Sequence, residues 1–170
     1  NGVGPEILLN SLQNKELLSL CTPVIYGPVK NLNYTLSHLG YDISLNKISS
    51  AEQSKEGKIN VVDSFKNPPE ISFGVLNKEM GVAAFDSIKK GVKDLKEGKI
   101  DVLVTLPINK EATHSDSFRF MGHTDYIDSE IEGGSTMMMV SNELRVALLT
   151  EHIPVSKVTD SITVDLVINK

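Results

Sequence analysis

Two histidines and their neighbours are the residues of this 170-residue chain best suited to chemistry. Gly122-His123-Thr124 reads as a loop turning into a helix, which gathers backbone N–H groups, an imidazole and a hydroxyl at one corner. Such a corner suits an anionic or hydroxylated ligand, because the first N–H groups of a helix lack intrahelical partners. His152 closes the run Leu148-Leu149-Thr150-Glu151-His152-Ile153-Pro154, where a strand pattern is stopped by proline. An imidazole at a strand end can ligate a metal or exchange a proton. Two histidines do not complete a catalytic metal site, which usually takes three protein ligands and an open position.

Two further stretches belong beside them. Pro107-Ile108-Asn109-Lys110 follows an apolar run and ends in a cationic tip. Gly2-Val3-Gly4 precedes a helix start at Pro5 and lets backbone approach a ligand, but it lacks the dinucleotide fingerprint and the lysine of a P-loop. His38, on an amphipathic helix, and His114, in a polar loop, read as surface residues.

These residues need elements to hold them. Helices are expected over residues 5–18, 29–39 (closed by Gly40), 75–96 and 158–170, on the spacing of apolar residues and on proline and glycine punctuation. Leu76, Met80, Ala84, Ile88, Val92 and Leu95 form the stripe of the longest helix. Strands are expected at residues 22–26, 43–45, 59–62, 100–106, 137–140 and 144–149, the last two as an antiparallel hairpin around Ser141-Asn142-Glu143. The run 100–106 is nearly continuous in apolar residues, as buried parallel strands are. Met137-Met138-Met139 reads as strand core. Alternating strands and helices make the class α/β, with a mixed sheet and flanking helices. In such sheets ligands bind beyond the carboxyl ends of strands, where Pro107-Ile108-Asn109-Lys110, Gly122-His123-Thr124 and Thr150-Glu151-His152 would fall.

Composition sets limits. The chain is 40% hydrophobic and 23% charged, ordinary for a globular domain with a real core. Its formal charge of −5 argues against a general nucleic-acid binder, and no apolar run approaches the roughly 18 residues of a membrane span. The lone cysteine, Cys21, reads as a small buried apolar residue, in keeping with a reducing cytoplasm. The opening at Asn1-Gly2-Val3-Gly4 and the finish inside a helix suggest a piece of a longer protein.

Several motifs, taken in order, resemble the 4-hydroxythreonine-4-phosphate dehydrogenase family of pyridoxine biosynthesis. They are Asn1-Gly2-Val3-Gly4-Pro5-Glu6, Leu106-Pro107-Ile108-Asn109-Lys110, Gly122-His123-Thr124-Asp125-Tyr126, Asn142-Glu143-Leu144-Arg145-Val146-Ala147-Leu148 and Thr150-Glu151-His152-Ile153-Pro154. The resemblance implies an isocitrate/isopropylmalate dehydrogenase-like fold, with residues 1–170 covering roughly the first half of a two-domain enzyme and no internal boundary assigned. It implies that His123 and Thr124 contact substrate and that His152 is the first of three metal-holding histidines, the other two lying in the family's later half. The implied reaction is oxidation and decarboxylation of 4-phosphooxy-L-threonine to 3-amino-2-oxopropyl phosphate. NAD or NADP takes the hydride, and the divalent metal stabilises charge at the C3 oxygen. Zinc suits three imidazoles best, with magnesium, manganese and cobalt as alternatives. A cytoplasmic homodimer with a shared active site is implied as well. Relatives acting on threonate or erythronate phosphate, an inactive fragment, and an acyl- or phosphate-transferring enzyme of similar fold are the competing readings.

Overall fold

In the computed structural model, which describes residues 1–63, 65–114, 120, 122–133 and 135–170, the chain forms two compact units, Asn1–Glu130 and Ile131–Lys170. The first unit is built on a parallel sheet of β1 (Val24–Tyr26), β2 (Leu45–Ile48) and β3 (Ile59–Val62), in the order β1-β3-β2. All four residues of β3 are buried, as expected of a central parallel strand covered on both faces. Val24 pairs with Asn60 on one side and Leu45 with Ile59 on the other.

Asn60 is the polar residue at the centre of that strand, and its side chain is fully hydrogen-bonded. Its Oδ1 accepts from Asn46 Nδ2 (2.7 Å) and the Lys55 backbone N–H (3.0 Å). Its Nδ2 lies within 3.2 Å of the carbonyls of Pro23, Lys55 and Lys58. The amide therefore pins the β2–β3 connection to the strand, which offsets the cost of burying it.

Helices cover both faces. On one side α1 (Gly4–Ser11) and α3 (Val29–Leu39) place Leu12 and Leu32 against Ile25, Ile59 and Val61. Gly40 ends α3 in the left-handed region (φ 69°), and the N–H of Tyr41 returns to the Leu36 carbonyl, a glycine stop of the expected kind. The helix expected over 5–18 is instead α1 followed by a separate turn of helix, α2 (Leu17–Leu20), and between them the Asn14 side chain accepts from the Glu16 N–H (3.0 Å) in a local turn. Cys21, just after α2, is exposed rather than buried, because the chain there crosses the surface towards β1.

The long helix α4 (Lys78–Lys96) begins three residues later than its apolar stripe suggested, since the Asn77 side chain caps it by accepting from the Met80 N–H (3.1 Å). Its buried face is Gly81, Phe85, Ile88, Gly91 and Val92, and Leu76 lies outside the helix, exposed. The Tyr26 hydroxyl donates to Asp94 Oδ2 (2.9 Å), which ties α4 to the end of β1. Beyond α4, residues 100–106 are not a laddered strand. Leu103 and Leu106 face inward, but Val102 and Val104 are 73% and 80% exposed. The segment's apolar character was legible, whereas its pairing is not satisfied among the described residues. Two short helices, α5 (Lys110–Thr113) and α6 (His123–Glu130), complete this unit. The loop expected from Ser115 lies outside the described residues at 115–119 and 121.

The second unit contains the expected antiparallel hairpin, β4 (Met138–Val140) and β5 (Arg145–Ala147), with Met139 opposite Val146. Both strands are exposed throughout, so Met138 and Met139 are not core in this unit. The helix expected over 158–170 is two helices, α7 (Val155–Ser161) and α8 (Val164–Asn169). Thr163 restarts the chain by accepting from the Leu166 N–H (3.1 Å), a capping role that competes with helix continuation. No helix among the described residues is long and apolar enough to cross a membrane.

Candidate functional site

The polar stretches of the first unit meet around one apolar cluster. Phe85, Ile88 and Val92 of α4 pack with Tyr126 of α6, and Ile108, Leu103, Phe120 and Ile127 join them. The ring of Tyr126 meets Phe85 edge-on (centroids 5.1 Å apart, 78° between planes) and Phe120 similarly (5.2 Å, 66°). Such edge-to-face pairs add roughly 0.5–1.5 kcal/mol beyond burial and restrict rotation. Ile108 lies in the middle of Pro107-Ile108-Asn109-Lys110, and Tyr126 lies two residues past Thr124. The cluster therefore seats that loop and the first turn of α6 on the same helix.

His123 is the first residue of α6 and is half-buried. Burial lowers its pKa below the ordinary 6.5, so the imidazole is neutral at neutral pH. A neutral imidazole presents one donor and one acceptor, suited to a hydroxyl group. Thr124 is exposed and offers its hydroxyl to solvent on the same turn.

The loop before α5 is held from two sides. Asn109 caps α5 by accepting from the Ala112 N–H (2.9 Å), and the buried Thr113 hydroxyl donates to the Asn109 carbonyl (3.0 Å). At the other end, a Cβ at Gly4 would stand 3.4 Å from both Leu106 Cβ and the Pro107 carbonyl oxygen, so the Gly2-Val3-Gly4 turn lies directly on Leu106-Pro107. Asn1 fastens the turn to the segment ahead of α4. Its side chain accepts from the Ser72 N–H (2.9 Å) and donates to the Val75 carbonyl (2.9 Å). Lys110 is exposed at the start of α5.

His152 belongs to the second unit, in a bend after β5 rather than at a strand end, and it is exposed with φ 55°. A left-handed backbone at a non-glycine residue is uncommon and costs some free energy. Among the described residues, no three His, Cys, Asp or Glu side chains gather as a metal site. One imidazole is too few for a catalytic metal, so the donors among the described residues do not by themselves hold one. His38 and His114 are surface residues as expected, with His38 stacked on Phe73 (4.6 Å).

The caps Asn77 and Asn109 and the close-approach residue Gly81 escaped the sequence reading. The caps had a usable signal, an asparagine directly ahead of a helix-forming run. Gly81 had none, because a glycine contributes nothing to an apolar periodicity.

Comparison with known proteins fits this arrangement. The 4-hydroxythreonine-4-phosphate dehydrogenase of Bacteroides thetaiotaomicron is 36% identical over 172 residues, covering 100% of this chain and 47% of its own length. A Clostridium botulinum protein provisionally named D-threonate 4-phosphate dehydrogenase is 32% identical over 173 residues, covering 99% of this chain and 52% of its own. The crystal structure of a 4-hydroxythreonine-4-phosphate dehydrogenase from Burkholderia phymatum superposes with a TM-score of 0.87 at 32% identity, over 98% of this chain and 51% of that one. This chain thus spans about half the length of the relatives it matches. Residues 19–170 match the family model described as pyridoxal phosphate biosynthetic protein PdxA, and with the fold and these relatives they make the chain a member of the PdxA family.

Proposed function

We propose that the protein carrying this chain is a nicotinamide-dependent dehydrogenase that oxidises and decarboxylates 4-phosphooxy-L-threonine to 3-amino-2-oxopropyl phosphate. The observation that carries the reading is the 36% identity to a 4-hydroxythreonine-4-phosphate dehydrogenase over the full chain. The geometry supports it, because His123-Thr124 and the loop 107–110 are seated on one cluster. In this reading that loop borders the substrate site, and His123 and Thr124 bind the substrate.

The chemistry asks little covalent work of the protein. Bound NAD⁺ or NADP⁺ would supply the acceptor for the hydride of substrate C3, and the C3 hydroxyl proton would pass to solvent. The resulting 2-amino-3-oxo acid is a β-keto acid, whose C1–C2 bond breaks to release CO₂ while a proton is delivered to C2. The cofactor supplies the redox chemistry and the protein supplies alignment. A neutral His123 holds a substrate hydroxyl by hydrogen bonding, with one donor and one acceptor nitrogen. Thr124 adds a second hydroxyl contact that fixes orientation.

His152 is proposed as one ligand of a divalent metal, with zinc first among the candidates. Bound near C3, such an ion would supply positive charge where negative charge develops. Its other ligands are not among the described residues of this chain. A homodimer with a shared active site and a cytoplasmic location belong to the same proposal. Chelation followed by metal add-back tests it: activity should vanish and return. Turnover indifferent to a strong chelator would remove the metal from the scheme.

A second reading has one specific support, the 32% identity to a protein provisionally named for D-threonate 4-phosphate. Both substrates carry a phosphate and a secondary alcohol and differ at C2, amine against hydroxyl. The higher identity to the 4-hydroxythreonine-4-phosphate dehydrogenase, 36% against 32%, ranks the first reading ahead.

A further inference from the structure

Helix α4 meets α5, the turn that directly follows the loop 107–109, through bare backbone. At Gly81, on the first turns of α4, an added Cβ would overlap the carbonyl carbon and oxygen of Ala112 and would stand 2.8 Å from the Thr113 nitrogen. All three atoms are backbone, so no side-chain rotation relieves the overlap. The turn pressed against Gly81 is α5, and its backbone N–H and hydroxyl donors reach back to acceptors on Asn109 and Lys110. Asn109 Oδ1 accepts from the Ala112 N–H, the Thr113 N–H reaches the Asn109 carbonyl (3.0 Å), and the Thr113 hydroxyl reaches the Asn109 and Lys110 carbonyls. Thr113 and Ala112 are both buried, so the turn has little room to move elsewhere. Directly ahead of it, Ile108 anchors in the α4–α6 cluster, and Pro107 lies under Gly4.

We propose that Gly81 is a positioning residue for substrate binding: its missing side chain lets α4 set where the turn 107–113 lies, and with it Asn109 and Lys110 at the substrate site. The inference rests on the reading above that this loop borders that site. A side chain at position 81 displaces the turn by roughly an ångström, a shift that at a binding site costs on the order of tenfold to a hundredfold.

A matched control lies on the same helix. At Gly91 an added Cβ would meet Leu103 Cδ1 at 2.8 Å, the far end of a flexible side chain that can rotate away. Gly81→Ala and Gly91→Ala therefore share the same gain in helix propensity and differ in what they strike.

The test is steady-state kinetics on the protein as its gene encodes it, varying phosphorylated substrate and nicotinamide cofactor separately. Gly81→Ala should raise KM for the phosphorylated substrate about tenfold or more, with KM for the cofactor within about twofold of wild type. Gly91→Ala should leave both within about twofold. A folded Gly81→Ala with an unchanged substrate KM, or with both KM values raised alike, overturns the proposal. If Gly81→Ala does not fold, Asn109→Ala decides, because it loosens the same turn at its cap without a clash. A selective rise in substrate KM supports the proposal, and no change overturns it. If wild type oxidises none of the phosphorylated substrates, the functional reading fails by itself. Hydrogen exchange at the Thr113 and His114 amides then tests positioning directly. Faster exchange in Gly81→Ala than in Gly91→Ala supports it, and equal protection overturns it.

Discussion

Replacing Phe85 by leucine and by alanine should separate the loss of core volume from the loss of the contact that seats α6. Phe85 is 5% exposed, meets Tyr126 edge-on at 5.1 Å, and lies under the ammonium of Lys89, 4.8 Å from the ring centre. Truncating a buried phenylalanine to alanine costs about 3–5 kcal/mol. Leucine keeps most of the apolar volume and gives up the ring-specific contributions, including those to Tyr126 and Lys89. These are roughly 0.5–1.5 kcal/mol for the aromatic pair and about 0.5–1 kcal/mol for a partly exposed cation–π contact. Phe85→Leu should therefore cost about 1–2.5 kcal/mol and Phe85→Ala clearly more. Against a total stability of roughly 5–15 kcal/mol, the alanine variant would be close to unfolding and the leucine variant would not. Urea denaturation reads both as a shift in midpoint at constant slope. A cycle with Tyr126→Leu should return a coupling of about 0.5–1.5 kcal/mol. The functional consequence should follow α6, so that Phe85→Leu weakens substrate binding although Phe85 lies in the core against Tyr126. Zero coupling between Phe85 and Tyr126, or an alanine variant as stable as wild type, would refute this account of how the histidine is held.

Three other perturbations give clear expectations. Asn60→Asp puts an oxygen where Nδ2 now faces three carbonyls, and should lower stability by at least ~3 kcal/mol. A thermal melt within a few degrees of wild type would contradict it. His123 binds protons less readily folded than unfolded, so its contribution is present in full above its ordinary value of 6.5 and is lost as pH falls from there towards the lower folded pKa. Denaturation midpoints measured downwards from neutral pH should fall more steeply in wild type than in His123→Gln, and parallel profiles would exclude this role. His152→Asn keeps a residue that tolerates the left-handed backbone while removing the imidazole. It should abolish bound metal and metal-dependent turnover with an unchanged circular dichroism spectrum, whereas wild-type metal content would take His152 out of the site.

The parts of the fold that were readable in advance are those whose cause is local. The run 59–62 is four apolar or amide residues bounded by polar ones, and it became the buried central strand β3. Residues 29–39 ended at Gly40 because only a glycine adopts φ 69° without strain. The errors are tertiary. Residues 100–106 have a strand's composition, but a ladder depends on a neighbour that no segment contains in its own sequence. In α4 the periodic signal found Ile88 and Val92 but missed the true phase, because two of the buried positions are the glycines 81 and 91. Met138 and Met139 have the composition of core and are exposed in their unit. The same division runs through the site. His123 and Thr124 in the first unit and His152 in the second stood out as candidates by residue type and context. The docking of α6 on Phe85 and the backbone contact at Gly81 could not, since both are relations between segments far apart in the chain.

The central claim is that the protein oxidises a phosphorylated threonine derivative, and kcat/KM for nicotinamide reduction tests it most directly. The measurement sets 4-phosphooxy-L-threonine beside D-threonate 4-phosphate, with divalent metal present. The account predicts a clear preference for 4-phosphooxy-L-threonine, with CO₂ released in step with the reduced cofactor. Equal or better turnover of the threonate phosphate would contradict it.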